Sequence, residues 1–297
     1  MACVLTLDVG RARAVAGNLL AAYAADGIFG TRDMPEDRPP AGVEEGSEEH
    51  LRFITLTVAI DYMRDADLLW QSARASYEDP ETAFLFDPEQ VSDSGLKRVV
   101  DAMRRHGLSR KVNNDPQIWQ SICTTLSMRY EGRVGSLISD ARTDAMRLIS
   151  LVRSSKNGHF PFLRGPKIAP LWIRMLHDNC RVPLARMHEV PIPVDIHIAQ
   201  ATLQTGCVLP PPRSGAMGEL RDATIRVWKE ALGGSASYPL RLDEPLWHLS
   251  RRGCRVRTQW PCELRARCPV GDFCHRLPLR LEVKGNAGED RSEWRII

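Results

Sequence analysis

Residues 161–178 read PFLRGPKIAPLWIRMLHD, and residues 192–206 read IPVDIHIAQATLQTG. In the first stretch a glycine-containing turn runs into Ile168, Leu171, Trp172, Met175 and Leu176, whose three-four spacing predicts one buried helix face. Backbone N–H groups around Gly165 to Lys167, at the positive end of that helix, make a phosphate site, and Arg164 and Lys167 add charge to it. In the second stretch Asp195 stands where a helix begins, with Ile196, Ala199 and Leu203 on one face and Gly206 as the stop. The plainest role for Asp195 is therefore an N-cap.

The helical pattern extends outward from both segments. Leu137, Ile138, Ala141, Ala145, Leu148, Ile149 and Val152 predict one helix face from Val134 onward, Leu220 to Leu232 another, and residues 50–75 one long helix or two abutting ones. No run alternates as strands do and no repeat recurs, so the fold class expected is all-α. Breakers divide the chain: the acidic stretch PEDRPPAGVEEGSEE at 35–49, the three prolines of VPLARMHEVPIPV at 182–194, and LPPPRSGAMG at 209–218. A helical domain over 49–182 follows, with 1–48 and 183–297 forming a second unit.

The 297 residues are 43% hydrophobic and 26% charged, ordinary for a globular protein with room for two domains. No stretch approaches the roughly 18 apolar residues of a membrane span, and Met1 to Val15 lacks the features of a secretory signal. The expected setting is cytoplasmic, without a membrane. A net charge of +3 decides little, but Arg251, Arg252, Arg255, Arg257, Arg265, Arg267, Arg276, Arg280 and Lys284 make the C-terminal third basic and a candidate contact for an anion.

Of eight cysteines, Cys254, Cys262, Cys268 and Cys274 are crowded together with the spacing C-x7-C-x5-C-x5-C. In a reducing compartment such crowding points to a metal or cluster rather than disulfides. Thiolates at these intervals suit a 4Fe-4S cluster or a tetrahedral zinc, and the absence of paired C-x2-C knuckles weighs against zinc.

Together these segments resemble the helix-hairpin-helix DNA glycosylases, the superfamily of endonuclease III and the adenine and 8-oxoguanine glycosylases. The family hairpin LPGVGxKTA is matched from Pro161 to Ala169, with Gly165, Lys167 and Ala169 on its second Gly, its Lys and its Ala, and Leu163 in place of its first Gly. The family's VDxH segment is matched by Val194, Asp195 and His197. Its cluster spacing, C-x6-C-x2-C-x5-C, is similar to that of Cys254 to Cys274, whose middle interval is expanded by ELRAR.

The resemblance implies two helical domains, a helix-hairpin-helix, a C-terminal 4Fe-4S loop over 254–274, and an active cleft between the domains. It implies base-excision repair of double-stranded DNA containing a damaged base, by a monomer in the bacterial cytosol or nucleoid. Asp195 is then the catalytic aspartate, and Lys167 the nucleophile that gives bifunctional members their lyase activity. Arg164, Gly165 and Lys167 hold DNA phosphate, and the four cysteines ligate the cluster. Two alternatives stay open: a monofunctional hydrolytic glycosylase in which Lys167 only holds phosphate, and a noncatalytic iron-sulfur protein that binds DNA or lesions. The lysine points first to oxidised bases, within a field that includes uracil, mismatched thymine and alkylated bases. Tyr62 lies where relatives carry, on a helix, a residue that fills the gap left by a flipped base. Trp70, Trp119, Trp172 and Trp247 are expected as apolar anchors of the core.

Overall fold

The computed structural model describes residues 5–154, 159–209, 214–257, 262–275, 279–285 and 292–296. Residues 155–158, residues 210–213 of the Pro-rich loop, Arg276 of the basic run and much of the tail therefore lie outside the described residues. The chain is mostly helical, with twelve α-helices among the described residues, and divides into one unit of Met34–Met187 and another of Met1–Asp33 with His188–Ile297. No helix among the described residues is long and apolar enough to cross a membrane.

The Met34–Met187 unit holds α2 (Glu48–Val58), α3 (Ala66–Glu78), α4 (Pro88–Asp93), α5 (Leu96–Arg105), α6 (Asp115–Tyr130), α7 (Val134–Asp140), α8 (Ala145–Arg153) and α9 (Ile168–Asp178). Its core is aromatic: Phe53 meets Trp70 and Phe86 at ring-centroid distances of 5.7 and 5.5 Å, and Phe86 meets Trp119 edge-on at 5.2 Å. The buried indole N–H groups are satisfied, Trp119 by the Leu85 carbonyl at 2.7 Å and Trp172 by Thr55 Oγ1 at 2.9 Å, which ties α9 to α2.

Two expectations are corrected in this unit, and for residues 50–75 the two-helix alternative holds. The apolar series from Val134 to Val152 is two helices, because Arg142 and Thr143 adopt left-handed φ of 54° and 49° and Asp144 caps α8 through the Arg147 amide. The apolar phase survives this short turn, so both helices feed one core. Residues 50–75 likewise break over 59–65, where Met63 has φ of 51° and Asp65 caps α3. Finally, residues 34–48 belong to this unit. The Glu36 carboxylate pairs with Arg174 in the interior, Asn179 Nδ2 donates to Asp37 at 2.8 Å, Arg181 to Glu45 at 2.7 Å, and Arg74 to the carbonyls of Pro35 and Arg38. An acidic, Pro-rich composition thus serves as a strap over basic and amide side chains of α3 and the end of α9.

The second unit contains α1 (Val9–Asp26), α10 (Ile196–Gln204), α11 (Met217–Leu232) and α12 (Asp243–Leu249), the last continued by a π-helical turn Ser250–Cys254. α1 packs on α11, and the Trp228 indole donates to Thr202 Oγ1 at 3.0 Å. Two small antiparallel sheets of short strands accompany the helices, and the chain stays compatible with the all-α class expected. β1 (Thr6–Leu7) pairs with β2 (Val208–Leu209), while β3 (Ser214–Ala216), β5 (Glu293–Ile296) and β4 (Leu281–Lys284) lie side by side in that order. The tail is thereby anchored: Trp294 is fully buried against Gly215, where a Cβ would stand 3.0 Å from the indole nitrogen.

Candidate functional site

In the Met34–Met187 unit the turn before α9 is built without the family's first glycine. Phe162 takes the left-handed conformation, φ 61°, and Leu163 enters the core. The Gly165 amide donates to the Phe162 carbonyl at 2.8 Å, and a Cβ on Gly165 would sit 3.0 Å from that oxygen. That close approach favours glycine here. With the Gly165 amide engaged and Pro166 lacking one, an anion at this turn depends chiefly on the side chains of Arg164 and Lys167.

Lys167 precedes the first residue of α9. Its ammonium lies 3.5 Å from Asp61 Oδ2 and 3.4 Å from the Asp61 carbonyl oxygen, and both side chains are largely buried. Asp61 is the functional candidate that sequence reasoning missed. It comes from the 59–65 loop, and only the break between α2 and α3 brings it to the lysine. Tyr62, in a loop and not on a helix, has both ring faces covered: Phe162 stacks on it at 4.5 Å and the Lys111 ammonium sits 3.6 Å from its centroid. Met63 is 52% exposed. Arg110 donates to the Met63 carbonyl and Arg64 to the Leu108 carbonyl at 2.8 Å, so the loops at 59–65 and 108–114 are knit into one basic surface. Asp115 fixes the second loop by accepting from the amides of Arg110 and Lys111 at 2.9 and 2.8 Å.

In the second unit Asp195 is the N-cap of α10. Its Oδ1 accepts from the amides of His197 and Ile198, each at 2.8 Å, with the side chain half-buried. His197 Nδ1 lies 3.2 Å from Ser250 Oγ, and its ring faces that of Trp247, which is only partly buried and so less of a core anchor than the sequence suggests. Arg255, whose pKa burial and then Arg280 lower against the pull of Asp195, donates to the Leu281 carbonyl at 3.1 Å.

All four clustered cysteines are described, and none of them forms a disulfide. Cys254 ends the π-helical turn, and Cys268 and Cys274 flank the 3-10 turn Gly271–Phe273. Gly271 permits the loop to close on itself, since a Cβ there would meet the Arg265 carbonyl at 2.5 Å. Burial pushes the Cys254 thiol far up, and the charges of Cys268, Cys274 and Cys262 push it further. Burial likewise raises Cys268, to about 11, with Cys274 and Cys262 adding to it. Burial raises Cys274 too, opposed by the Gln204 amide and Arg257. The thiols therefore lie within electrostatic reach of one another, although among the described residues no three metal-binding side chains gather around one point.

The chain matches no protein-family model and no curated protein. Lys167 with Asp61 belongs to one unit, while Asp195 and the cysteine loop share the other, joined by α10. Gln204 and Arg257, which touch the cysteine loop, carried no sequence signal, because a lone Gln at a helix end and one Arg in a basic run are ordinary features.

Proposed function

We propose that the protein is a DNA glycosylase of the helix-hairpin-helix kind, excising a modified base and cutting the sugar by lyase chemistry. The observation that carries this is Lys167, largely buried at the start of α9 with the Asp61 carboxylate 3.5 Å from its ammonium. An amine attacks only after losing a proton, and Asp61 is within reach to accept it. Nζ then bonds to C1′ of the sugar, the N-glycosidic bond breaks with its electron pair leaving on the base, and a proton completes the free base. The C1′–O4′ bond then breaks, O4′ taking its electron pair and a proton, and the Schiff base so formed allows loss of a C2′ proton and departure of the 3′ phosphate. Asp195 offers a carboxylate to the positive charge that develops on the sugar. Its cap bonds use Oδ1, leaving Oδ2 for that work. The target nucleotide must leave the stack. With Tyr62 already covered on both faces, exposed Met63 is the better apolar residue to occupy the gap.

Cys254, Cys262, Cys268 and Cys274 would hold a 4Fe-4S cluster. What supports this is the donor set: four free thiols carried by one short loop, with the Gln204 amide bonded to Cys274. Bound, the cluster would supply thiolate neutralisation and a structural staple for the basic loop; no catalytic step runs through it.

A second possibility has a specific observation in its favour. The Lys167–Asp61 pair also suits a lysine that stays charged and holds phosphate, leaving hydrolysis to a water activated by Asp195. Duplexes each carrying one modified base, incubated with and without borohydride, separate the two. A trapped adduct establishes the lyase; base release without an adduct establishes hydrolysis; DNA binding without release from any duplex rejects both.

A further inference from the structure

Helix α10 is capped at one end by Asp195, and its last residue, Gln204, touches the cysteine loop. Gln204 is fully buried and both ends of its amide are engaged. Nε2 donates to Cys274 Sγ at 3.2 Å and to the His275 carbonyl at 3.5 Å. Oε1 accepts from Arg257 Nη2 at 2.7 Å and from the Leu279 amide at 3.1 Å. One turn earlier Gln200, also buried, spans the Leu279 carbonyl and the Leu281 amide, each at 2.6 Å.

Burying a primary amide is costly unless every polar atom is bonded, so two on one helix face serve something that leucine would not. Gln200 serves the backbone that leads into β4. Gln204 alone of the two reaches sulfur. With its oxygen turned to a guanidinium and a backbone amide, its nitrogen must face Cys274, which fixes the orientation of the side chain. An N–H donor to a ligating thiolate withdraws charge from the sulfur and favours the more negative, reduced state of a metal–sulfur centre.

We propose that Gln204 is a positioning residue for the cysteine centre: its N–H···S bond to Cys274, oriented by Arg257, raises the electron affinity of the bound cluster and fastens its loop to the helix that begins at Asp195. This rests on the assignment of the cysteines to an iron-sulfur cluster.

The two are tested separately. Iron and sulfide are first measured on anaerobically purified full-length protein; a chain without iron overturns the cluster assignment and this proposal with it. On iron-containing protein, the reduced-to-oxidised ratio is followed by electron paramagnetic resonance at fixed potentials for wild type, Gln204→Glu and Gln200→Leu. Gln204→Glu is close to isosteric but turns an oxygen toward Cys274, so at least a tenfold lower reduced fraction is expected, against less than twofold for Gln200→Leu. No shift in Gln204→Glu, or equal shifts in both, overturns the proposal while leaving the cluster intact. Should Gln204→Glu fail to fold, wild type labelled with 15N in the glutamine amide is expected to show magnetic coupling between cluster and nitrogen. Its absence overturns the proposal.

Discussion

Lys167 and Asp61, 106 residues apart in the chain, meet with the ammonium nitrogen 3.5 Å from one carboxylate oxygen and 3.4 Å from the backbone carbonyl of the same aspartate. If Asp61 accepts the proton that Lys167 sheds, the pair acts in the chemistry and not only in packing. Lys167→Ala is then expected to abolish the borohydride-trapped adduct. Asp61→Asn keeps the shape and is expected to slow adduct formation by about 10²- to 10⁴-fold, the usual worth of a general base. Single-turnover trapping kinetics on one substrate duplex, with DNA affinity measured alongside, checks both; a full-rate Asp61→Asn enzyme would reduce the pair to a structural salt bridge.

Asp195 carries two roles that substitution can separate. Asparagine caps a helix about as well as aspartate, whereas alanine loses the bonds to the His197 and Ile198 amides at a cost of about 1 kcal/mol. Asp195→Asn is therefore expected to unfold within a few tenths of a kcal/mol of wild type while base release falls by about 10²-fold or more. Denaturant melts and base-release assays on Asn and Ala variants provide the comparison. Activity that follows stability through both variants would leave Asp195 a cap and nothing else.

Glu36 makes the Met34–Met187 unit sensitive to pH. Burial pushes its carboxyl up to about 7, against the pull of Arg174. A carboxyl whose folded pKa stands above the unfolded 4.5 stabilises the fold fully below pH 4.5, and that contribution is lost as pH rises through about 7. The whole swing is of order 3 kcal/mol, by the conversion of about 1.4 kcal/mol per pKa unit. Glu36→Gln removes it, so the stability of wild type relative to Glu36→Gln is expected to fall between pH 5 and pH 8 in urea melts. A difference independent of pH would mean that Arg174 keeps Glu36 ionised throughout. In either case Glu36→Ala, which leaves Arg174 buried without its acid, is expected to cost about 3–5 kcal/mol.

The sequence was most legible where a pattern is local. The apolar spacing from Ile168 to Leu176 predicts α9, Asp195 marks the start of α10, and the crowding of Cys254 to Cys274 singles out the loop whose thiols sense one another. It was least legible where one residue's role depends on a distant partner. Asp61 looks like any polar position in a helical run until the chain breaks over 59–65. The turn at Arg142 and Thr143 contains neither Gly nor Pro, and the apolar phase on either side is preserved, so periodicity alone could not find it. The stretch 34–48 has the composition of a linker, but its carboxylates answer Arg174, Asn179 and Arg181 far along the chain. The tail forms strands of only four residues, too short for alternation to register.

That tail supplies the last prediction. Trp294 is fully buried on β5, beside Gly215 of β3, and it belongs to the same apolar cluster as Leu281 and Met217. Since the Met217 amide, the first of α11, also bonds to the Ser292 carbonyl at 2.7 Å, the strand pins the start of that helix as well as filling the core. Trp294→Ala removes a buried indole and is expected to cost about 3–5 kcal/mol. Gly215→Ala brings a Cβ to 3.0 Å from the indole nitrogen and is expected to cost about 1–3 kcal/mol through overpacking. The two losses share one contact, so they should not add: once Trp294 is alanine, the added methyl at position 215 has room and its cost should largely vanish. Urea melts of the two single variants and the double variant measure that coupling, and strict additivity would show that the tail does not pack on β3.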